Sequence, residues 1–292
     1  MAIRTAVGIG AGLLFLALTL YSLWTALLMV LVIHACVQYE FLRLRPQLSR
    51  DVAAVHHGLS TLAVATLSLS LAGVLHGGWA VLAVSAALLF CALHSIVRYE
   101  RQGEGGGDVH LLRAFAFITL PLACVLPLCV HAERFPYLLL LIGAGWGADT
   151  GAMWAGRLIG RRPLCPRLSP KKTVEGIIGG MLAAGAVWAG AGLLYPLPHL
   201  IAALGLSPTP TALGALHSAA LGPPTALAAA ALFLLGMAVA AIGAAGDLLF
   251  SLFKREAGVK DYGALLPGHG GMLDRCDSLL FAAPFVYLLS LL

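Results

Sequence analysis

The chain has 292 residues, of which 60% are hydrophobic and only 11% are charged, and its mean hydropathy is +0.93. Soluble domains carry roughly 25% charged residues, so this composition excludes a water-soluble globular protein. The sequence therefore predicts an all-α polytopic membrane protein. Its net charge of +5 is explained first by Lys and Arg on the cytoplasmic side of a membrane, and no nucleic-acid partner is expected.

Residues 1–135 are predicted to form N-terminal transmembrane helices. The uncharged run 5–39 would be about 52 Å long as one helix, longer than a hydrocarbon core of roughly 30 Å. Two short helices with a break near Tyr21 and Ser22 are predicted instead. The first is expected to be retained, because no small-residue cleavage site follows it. The uncharged interval between Asp51 and Arg98 predicts two more crossings, with a break at His76-Gly77-Gly78.

Single crossings are predicted along the rest of the chain, which brings the total to about nine. On this assignment, 17 of the 18 Lys and Arg residues lie on one face of the membrane, and only Arg134 lies on the other. The positive-inside rule makes the basic face cytoplasmic, with the N-terminus inside and the C-terminus outside. The predicted single crossings are at about 114–131, 136–155, 177–196, 228–250 and 277–292.

Two residue classes in the spans favour packing over chemistry. The six cysteines form no C-x-x-C pair, so neither a disulfide framework nor a zinc site is indicated. Small residues recur where helices can approach closely, as in Gly176, Gly179, Gly180 and Gly185, and again in Gly236, Gly243 and Gly246.

Residues 136–292 form the predicted C-terminal catalytic region. Within it, the windows 146–176 and 243–277 contain 17 of the 31 charged residues and every lysine. Topology explains Lys and Arg there but not the acids mixed with them. The mixture indicates a site that binds a metal and an anionic substrate together.

Asp247 lies near the end of an apolar span, where a carboxylate costs a few kcal/mol unless it is paired, solvated or metal-bound. Ser251, Lys254 and Arg255 follow at helical spacings that put them on the same face as Asp247. The pattern predicts a polar stripe descending from the cytoplasm. The alternative is an acid that reaches the interface beside Arg255.

Asp274 and Asp277 are three residues apart at the start of the last predicted span. On a helix, two such carboxylates share a face and can bind one or two hard cations. The alternative is stabilisation by the helix dipole, which favours acids in a first turn by about 0.3–1 kcal/mol. His269, between glycines, is equally consistent with a turn residue and with a substrate contact.

Ser169 followed by Pro170 is typical of an N-cap and a first helical position. Lys171, Lys172 and Thr173 are then predicted to lie at a helix N-terminus, where backbone N–H groups add to the lysines as an anion site. Lysines that only anchor the topology are the alternative.

Three segments together resemble the signature of phosphatidate cytidylyltransferases, also called CDP-diacylglycerol synthases. They are Ser251–Arg255, Lys260–Gly263 and Leu266–Asp277. The segments around Asp149 and at Ser169–Thr173 look like a second block of the same family, so the resemblance covers residues 136–292 in detail.

The resemblance implies transfer of a cytidylyl group from CTP to phosphatidic acid with Mg²⁺, and a second, monovalent ion such as K⁺. It also implies an all-helical enzyme of the bacterial inner membrane, often a homodimer, with a cytoplasm-facing polar cavity. By position, Asp247 and Asp274 match the metal-binding acids of the family. We therefore assign Mg²⁺ to these two residues, with Asp277 and Asp149 as supporting ligands or contacts of the second ion. The phosphates are assigned to Lys171, Lys172, Lys254, Arg255 and Lys260. The remaining substrate contacts are assigned to Ser169, Thr173, Ser251, Asp261, His269 and Arg275.

Three other functions are weighed against this one. A transporter predicts polar residues reaching both faces, whereas the outer half of this sequence is nearly without charge. A CDP-alcohol phosphotransferase would carry D-x-x-D-G-x-x-A-R, and neither Asp149 nor Asp274 is followed by that pattern. A cytidylyltransferase acting on an ether-lipid or polyprenyl phosphate would share every motif and stays open.

Overall fold

The computed structural model describes residues 17–19, 21–44, 48–77, 79–80, 83–91, 108–130, 134–193, 226–265 and 270–290. These residues are mostly helical, as predicted for a membrane protein, and they also include one two-stranded antiparallel sheet. The all-α prediction is therefore wrong only at that sheet.

Five of the described helices are long and apolar enough to cross a membrane. Each overlaps a predicted crossing, and the remaining four of the nine stay predictions. The five candidate spans are Leu23–Leu42, Arg50–Leu71, Val109–Val130, Val174–Ala191 and Ala229–Glu256.

The chain divides into two compact units, and each unit includes two separate stretches of sequence. The first unit combines Met1–Val130 with Glu256–Cys276, and the second combines His131–Arg255 with Asp277–Leu292. Short helical and π-helical segments follow one another closely in the first unit. Its elements are α1 (Leu23–Leu42), α2 (Arg50–Leu71), α3 (Asp108–Ala114), π1 (Phe115–Thr119), α4 (Leu120–Ala123) and α5 (Val125–Val130).

The second unit contains the sheet and the longest helix. The two ends of the segment Glu256–Cys276 lie in helices α9 and α10, so each of these helices crosses the boundary between the units. The elements are α6 (Arg134–Ile142), π2 (Gly143–Gly147), α7 (Ala148–Ile159), β1 (Pro163–Cys165), β2 (Ser169–Thr173), α8 (Val174–Leu193), α9 (Ala226–Glu256) and α10 (Leu273–Ser290).

Local sequence signals determine the ends of α1 and α2. Ser22 has extended backbone angles and forms a capping box with Thr25, which confirms the predicted break near Tyr21 and Ser22. Helix α2 ends in a Schellman motif, in which Gly73 has φ = 74° and the Val74 N–H donates to the carbonyl of Leu69 at 2.9 Å. The break between helices covers residues 72–76, so the prediction at His76-Gly77-Gly78 is confirmed at His76, and the break begins earlier because Gly73 supplies the left-handed turn.

A buried chain of directed hydrogen bonds joins α1, α2 and α3. The Ser60 hydroxyl donates to Gln38 Oε1 at 2.8 Å, and Gln38 Nε2 donates to His56 Nδ1 at 3.0 Å. Because His56 Nε2 donates to the Leu111 carbonyl at 3.2 Å, the proton lies on Nε2 and leaves Nδ1 as the acceptor. These side chains are at most 1% exposed. Their mutual satisfaction stabilises a polar cluster within apolar helices.

Small residues allow close packing of α7 against α8, as the sequence predicts. A Cβ atom on Gly180 would lie 2.6 Å from the carbonyl oxygen of Ala148, and one on Gly176 would lie 3.0 Å from that of Ala152. A side chain at Gly180 would clash with the backbone of α7, and one at Gly176 would fit only if α7 moved away slightly. The two helices therefore approach closely enough to form one wall of the cavity described below.

The segment before α8 corrects the prediction of a Ser169 N-cap. Residues 169–173 form strand β2, which pairs with β1 in an antiparallel hairpin. The helix begins at Val174, and Thr173 is its cap, since the Thr173 hydroxyl accepts the Gly176 N–H at 3.1 Å. Lys171 and Lys172 thus lie on a strand, not in a first helical turn. Pairing of β2 with β1 takes residues 169–173 out of the helix, so the cap forms at Thr173 despite the Ser-Pro signal.

Candidate active site

A cavity of about 580 Å³ lies within the second unit. Small residues of α7, α8 and α9 line much of it, so the polar side chains have room to project inward. Its charged and hydroxyl-bearing walls include Asp149, Arg157, Lys171, Lys172, Asp247 and Ser278.

Asp247 and Lys172 form an ion pair at this cavity. Lys172 comes from β2 and Asp247 from α9, and their side chains are 24% and 20% exposed. Ser251, one turn after Asp247, lies with its hydroxyl 3.5 Å from Asp247 Oδ1. The predicted shared face of Asp247 and Ser251 is confirmed. The pairing with Lys172, 75 residues away in sequence, had no local signal.

Two further carboxylates lie near Asp247. Asp277 is 6% exposed and interacts electrostatically with Asp247, Asp149 and the Lys254 ammonium group. The Ser278 hydroxyl donates to Asp149 at 3.2 Å, and the Ser278 N–H donates to Asp277 at 2.8 Å. Ser278 was missed by the sequence analysis, although it directly follows a predicted metal ligand. The second unit therefore collects three of the four predicted metal-binding acids.

The hairpin that carries the lysines is anchored at two points. Glu175 accepts the backbone N–H groups of Arg161 and Arg162 at 3.0 and 3.1 Å. At the other end, Arg255 Nε donates to the Leu168 carbonyl at 3.3 Å. Arg255 is predicted to bind phosphate, but its contact with Leu168 also holds the hairpin in place. Lys254 is only 9% exposed.

Ser169 and Thr173, predicted to contact substrate, also line the cavity of the second unit. Lys260, Asp261, Asp274 and Arg275 belong to the first unit. Lys260 and Asp261 are exposed just after α9, and Arg275 is exposed in the first turn of α10. His269 lies outside the described residues. Asp274 Oδ2 accepts the Tyr262 N–H at 2.9 Å and the Gly271 N–H at 3.2 Å. Asp274 therefore links Tyr262 to Gly271 through its own carboxylate.

Glu40 is the main residue that the sequence analysis missed. It lies near the end of α1, is 1% exposed, and accepts the N–H groups of Met272 and Leu273. The available signal was an acid directly after an apolar run, where an ionisable residue is a functional candidate.

The donor chemistry fits Mg²⁺, although the described residues contain no group of three His, Cys, Asp or Glu side chains arranged to hold a metal. The cavity offers carboxylate and hydroxyl oxygens, which hard cations prefer. Mg²⁺ in nucleotide enzymes is usually bound by one or two carboxylates, substrate phosphates and waters. A complete protein cage is therefore not required.

Sequence comparison identifies the family of this chain. The profile of the cytidylyltransferase family matches residues 2–292. The chain belongs to this family. It is an integral membrane protein of mostly helical structure, and the cavity acids and lysines lie within residues 136–292, the part of the chain that the resemblance covers in detail.

Several bacterial relatives carry the name phosphatidate cytidylyltransferase. The one from Haemophilus influenzae is 36% identical over 203 residues, covering 66% of this chain and 62% of the relative. Those from Aquifex aeolicus and Bacillus subtilis are 37% and 38% identical, covering 52% and 49% of this chain and 46% and 43% of the relatives. The chain thus matches roughly half the length of these relatives.

Proposed function

We propose that this protein transfers the cytidylyl group of CTP to phosphatidic acid, giving CDP-diacylglycerol and pyrophosphate. The observation that carries the proposal is the cavity in which Lys172 of β2 pairs with Asp247 of α9 beside further acids and lysines. Family membership and the names of the relatives support the same reaction.

The chemistry needs charge neutralisation more than a base. An oxygen of the lipid phosphate attacks the α-phosphorus of CTP, and the bond from that phosphorus to the oxygen bridging the β-phosphorus breaks. Pyrophosphate leaves with the electron pair of that bond. The phosphate monoester is already an anion at neutral pH, so positioning and electrostatics supply most of the catalysis.

Lys172 and Asp247 are suited to an exchange of partners. The two side chains neutralise each other in a partly buried site, where an isolated charge would be costly. With substrate bound, Lys172 would contact phosphate oxygens and Asp247 would help to hold the accompanying cation, so both would keep a counter-charge. Lys171, exposed on the same strand, and the buried Lys254 add positive charge for the triphosphate and the lipid phosphate.

From the sequence motif, Asp247 and Asp274 are proposed to hold Mg²⁺, with Asp277 and Asp149 as supporting ligands or contacts of a second ion. When bound, the metal polarises the phosphoryl oxygens and offsets charge on the leaving pyrophosphate. A second, monovalent ion such as K⁺ is proposed from the family resemblance alone.

The surroundings of the cavity suit a lipid substrate. Met153 lines the cavity and is 43% exposed, and Trp154, Leu158 and Ile159 on the same helix α7 are 56%, 76% and 61% exposed. We propose that these exposed apolar side chains beside the cavity contact the acyl chains of a lipid substrate. Lipid next to the cavity can therefore present its phosphate group to the lysines without leaving the bilayer.

The proposed setting is the bacterial inner membrane, with nine crossings, a cytoplasmic N-terminus and the cavity open to cytoplasmic CTP. The charge asymmetry of the sequence supports this orientation. A homodimer is proposed from the resemblance.

A product assay on purified protein tests the proposal. With labelled CTP, phosphatidic acid and Mg²⁺, we expect labelled CDP-diacylglycerol and an equal amount of pyrophosphate, and neither product without the divalent ion. Polyprenyl phosphate as acceptor serves as the comparison. Transfer to that acceptor but not to phosphatidic acid would reject the proposed substrate, and no transfer to either would reject the activity.

A further inference from the structure

Glu40 makes a buried, two-point contact with a distant segment of the first unit. Its Oε1 accepts the Met272 N–H at 3.1 Å, and its Oε2 accepts the Leu273 N–H at 2.9 Å. The residue is 1% exposed. A buried carboxylate is costly unless its oxygens are hydrogen-bonded, and here the two N–H groups offset the cost of burying the Glu40 carboxylate.

The two N–H groups are those at the start of α10, which begins at Leu273. The first N–H groups of a helix lack partners within the helix, and the positive end of the helix dipole favours a negative charge. Glu40 therefore caps α10 in place of a local Ser, Thr or Asp side chain. Asp274 lies in the first turn of the helix that Glu40 caps.

The turn before α10 is shaped to admit this carboxylate. A Cβ atom on Gly263 would lie 2.5 Å from Glu40 Oε1, and one on Gly271 would lie 2.7 Å from Oε2. Any side chain at either glycine would displace the carboxylate. The ring of Phe41, next to Glu40, packs 6.1 Å from the buried ring of Tyr262, centroid to centroid.

Asp274 completes the arrangement from inside the turn. Its Oδ2 accepts the N–H groups of Tyr262 and Gly271, on either side of the residues that the structure does not describe. Ahead of this turn, at the end of α9, Glu256 forms an ion pair with Arg113 of α3 at 2.5 Å. We name the described residues 260–265 and 270–274 the signature turn.

We propose that Glu40 is a positioning residue that holds the signature turn and thereby sets the orientation of the Asp274 carboxylate. The proposal rests on the proposed function only in taking Asp274 as a metal ligand. A residue that supports a ligand in this way typically changes metal affinity or activity about 10- to 100-fold when it is replaced.

Hydrogen exchange of the backbone amides tests the positioning role without any activity assay. Glu40→Gln keeps the shape but places an NH₂ group against one of the two N–H donors, so the Met272 and Leu273 amides should exchange faster. If Glu40 holds the whole turn, the Tyr262 and Gly271 amides, which bond to Asp274, should also exchange faster. Continued protection of the Tyr262 and Gly271 amides would overturn the proposal.

Gln38→Leu is the matched control. Gln38 lies on the same helix, is fully buried, and hydrogen-bonds to His56 and Ser60 instead of the signature turn. We expect this variant to unfold at a lower temperature but to keep normal exchange of the turn amides. Faster exchange of the turn in the control would mean that any damage to α1 loosens it, which would overturn a specific role for Glu40.

The Mg²⁺ concentration for half-maximal activity separates positioning from stability. In Glu40→Gln we expect this concentration to rise about tenfold. Loss of folded protein alone would lower the maximal rate but leave the half-saturating Mg²⁺ concentration unchanged. An unchanged half-saturation with a lower rate would overturn the proposal. Should Glu40→Gln fail to fold, Gly263→Ala, whose Cβ would meet the Glu40 side chain first at 2.5 Å, is to be measured in the same way. Absence of cytidylyl transfer in the wild type would reject the proposed function and leave the exchange result to decide the role of Glu40.

Discussion

The cavity of the second unit and the signature turn of the first unit both contain carboxylates, but these acids have different kinds of partner. In the cavity, Asp247 pairs with the Lys172 side chain, and Asp149 accepts from the Ser278 hydroxyl. At the turn, Glu40 of α1 and Asp274 of the turn itself accept backbone N–H groups. A side-chain partner can rotate away and be replaced by substrate, whereas a backbone partner leaves only when the turn opens. The side-chain contacts of Asp247 and Asp149 can therefore be exchanged for substrate, whereas the backbone contacts of Glu40 and Asp274 hold the turn in place.

Asp247→Asn gives the largest expected loss on the cavity side of this comparison. The neutral amide cannot balance the charge of Lys172 or bind a divalent cation as a carboxylate would, so turnover should fall below about a tenth of wild type. Membrane insertion and amide exchange in the signature turn should be unchanged. An activity assay combined with hydrogen exchange checks both, and activity above that level would remove Asp247 from the metal-binding set.

Asp274→Asn should also reduce turnover below about a tenth of wild type, but with a structural signature that Asp247→Asn lacks. Because Asp274 Oδ2 accepts the Tyr262 and Gly271 N–H groups, those two amides should exchange faster in the variant. Insertion into the membrane should persist. A loss of activity with fully protected Tyr262 and Gly271 amides would mean that the turn does not depend on this carboxylate.

Lysine-to-arginine variants test whether the cavity lysines recognise phosphate or only supply charge. Lys172→Arg should lower kcat/KM about tenfold, or about 1.4 kcal/mol of transition-state binding, because the planar guanidinium cannot take the place of the ammonium beside Asp247. Lys171→Arg and Lys254→Arg are the companion variants, and the exposed Lys171 should tolerate the change best. Wild-type kinetics in all three would return the lysines to the role of topology anchors.

Labelling of introduced cysteines tests orientation and is expected to leave catalysis unchanged. In a background without the six native cysteines, Gly105→Cys should react only from the cytoplasmic side and Ser218→Cys only from outside. Both positions lie outside the described residues, so the sequence alone makes this prediction. Labelling of both from the same side would reject the nine-crossing topology.

The local features of the fold were largely predictable. The break at Ser22 was confirmed because an N-cap and its partner are three residues apart, and the shared face of Asp247 and Ser251 because helical spacing alone determines it. The close packing at Gly180 was confirmed as well, since a small residue in an apolar helix is typical of helix contacts. The Ser169 cap was wrong because strand pairing with residues 163–165 outweighed a local preference.

By itself, the sequence determined the membrane setting, the family and the identity of most acids and lysines at the candidate site. These follow from composition, spacing and motif, which depend on residues close together in the chain. Only the tertiary structure decided that Lys172 neutralises Asp247 and that Glu40 caps the helix of Asp274. Those partners are 75 and more than 230 residues apart. Burial makes each pairing necessary, because a charged group removed from water needs a partner, and the packing of the helices decides which one it meets.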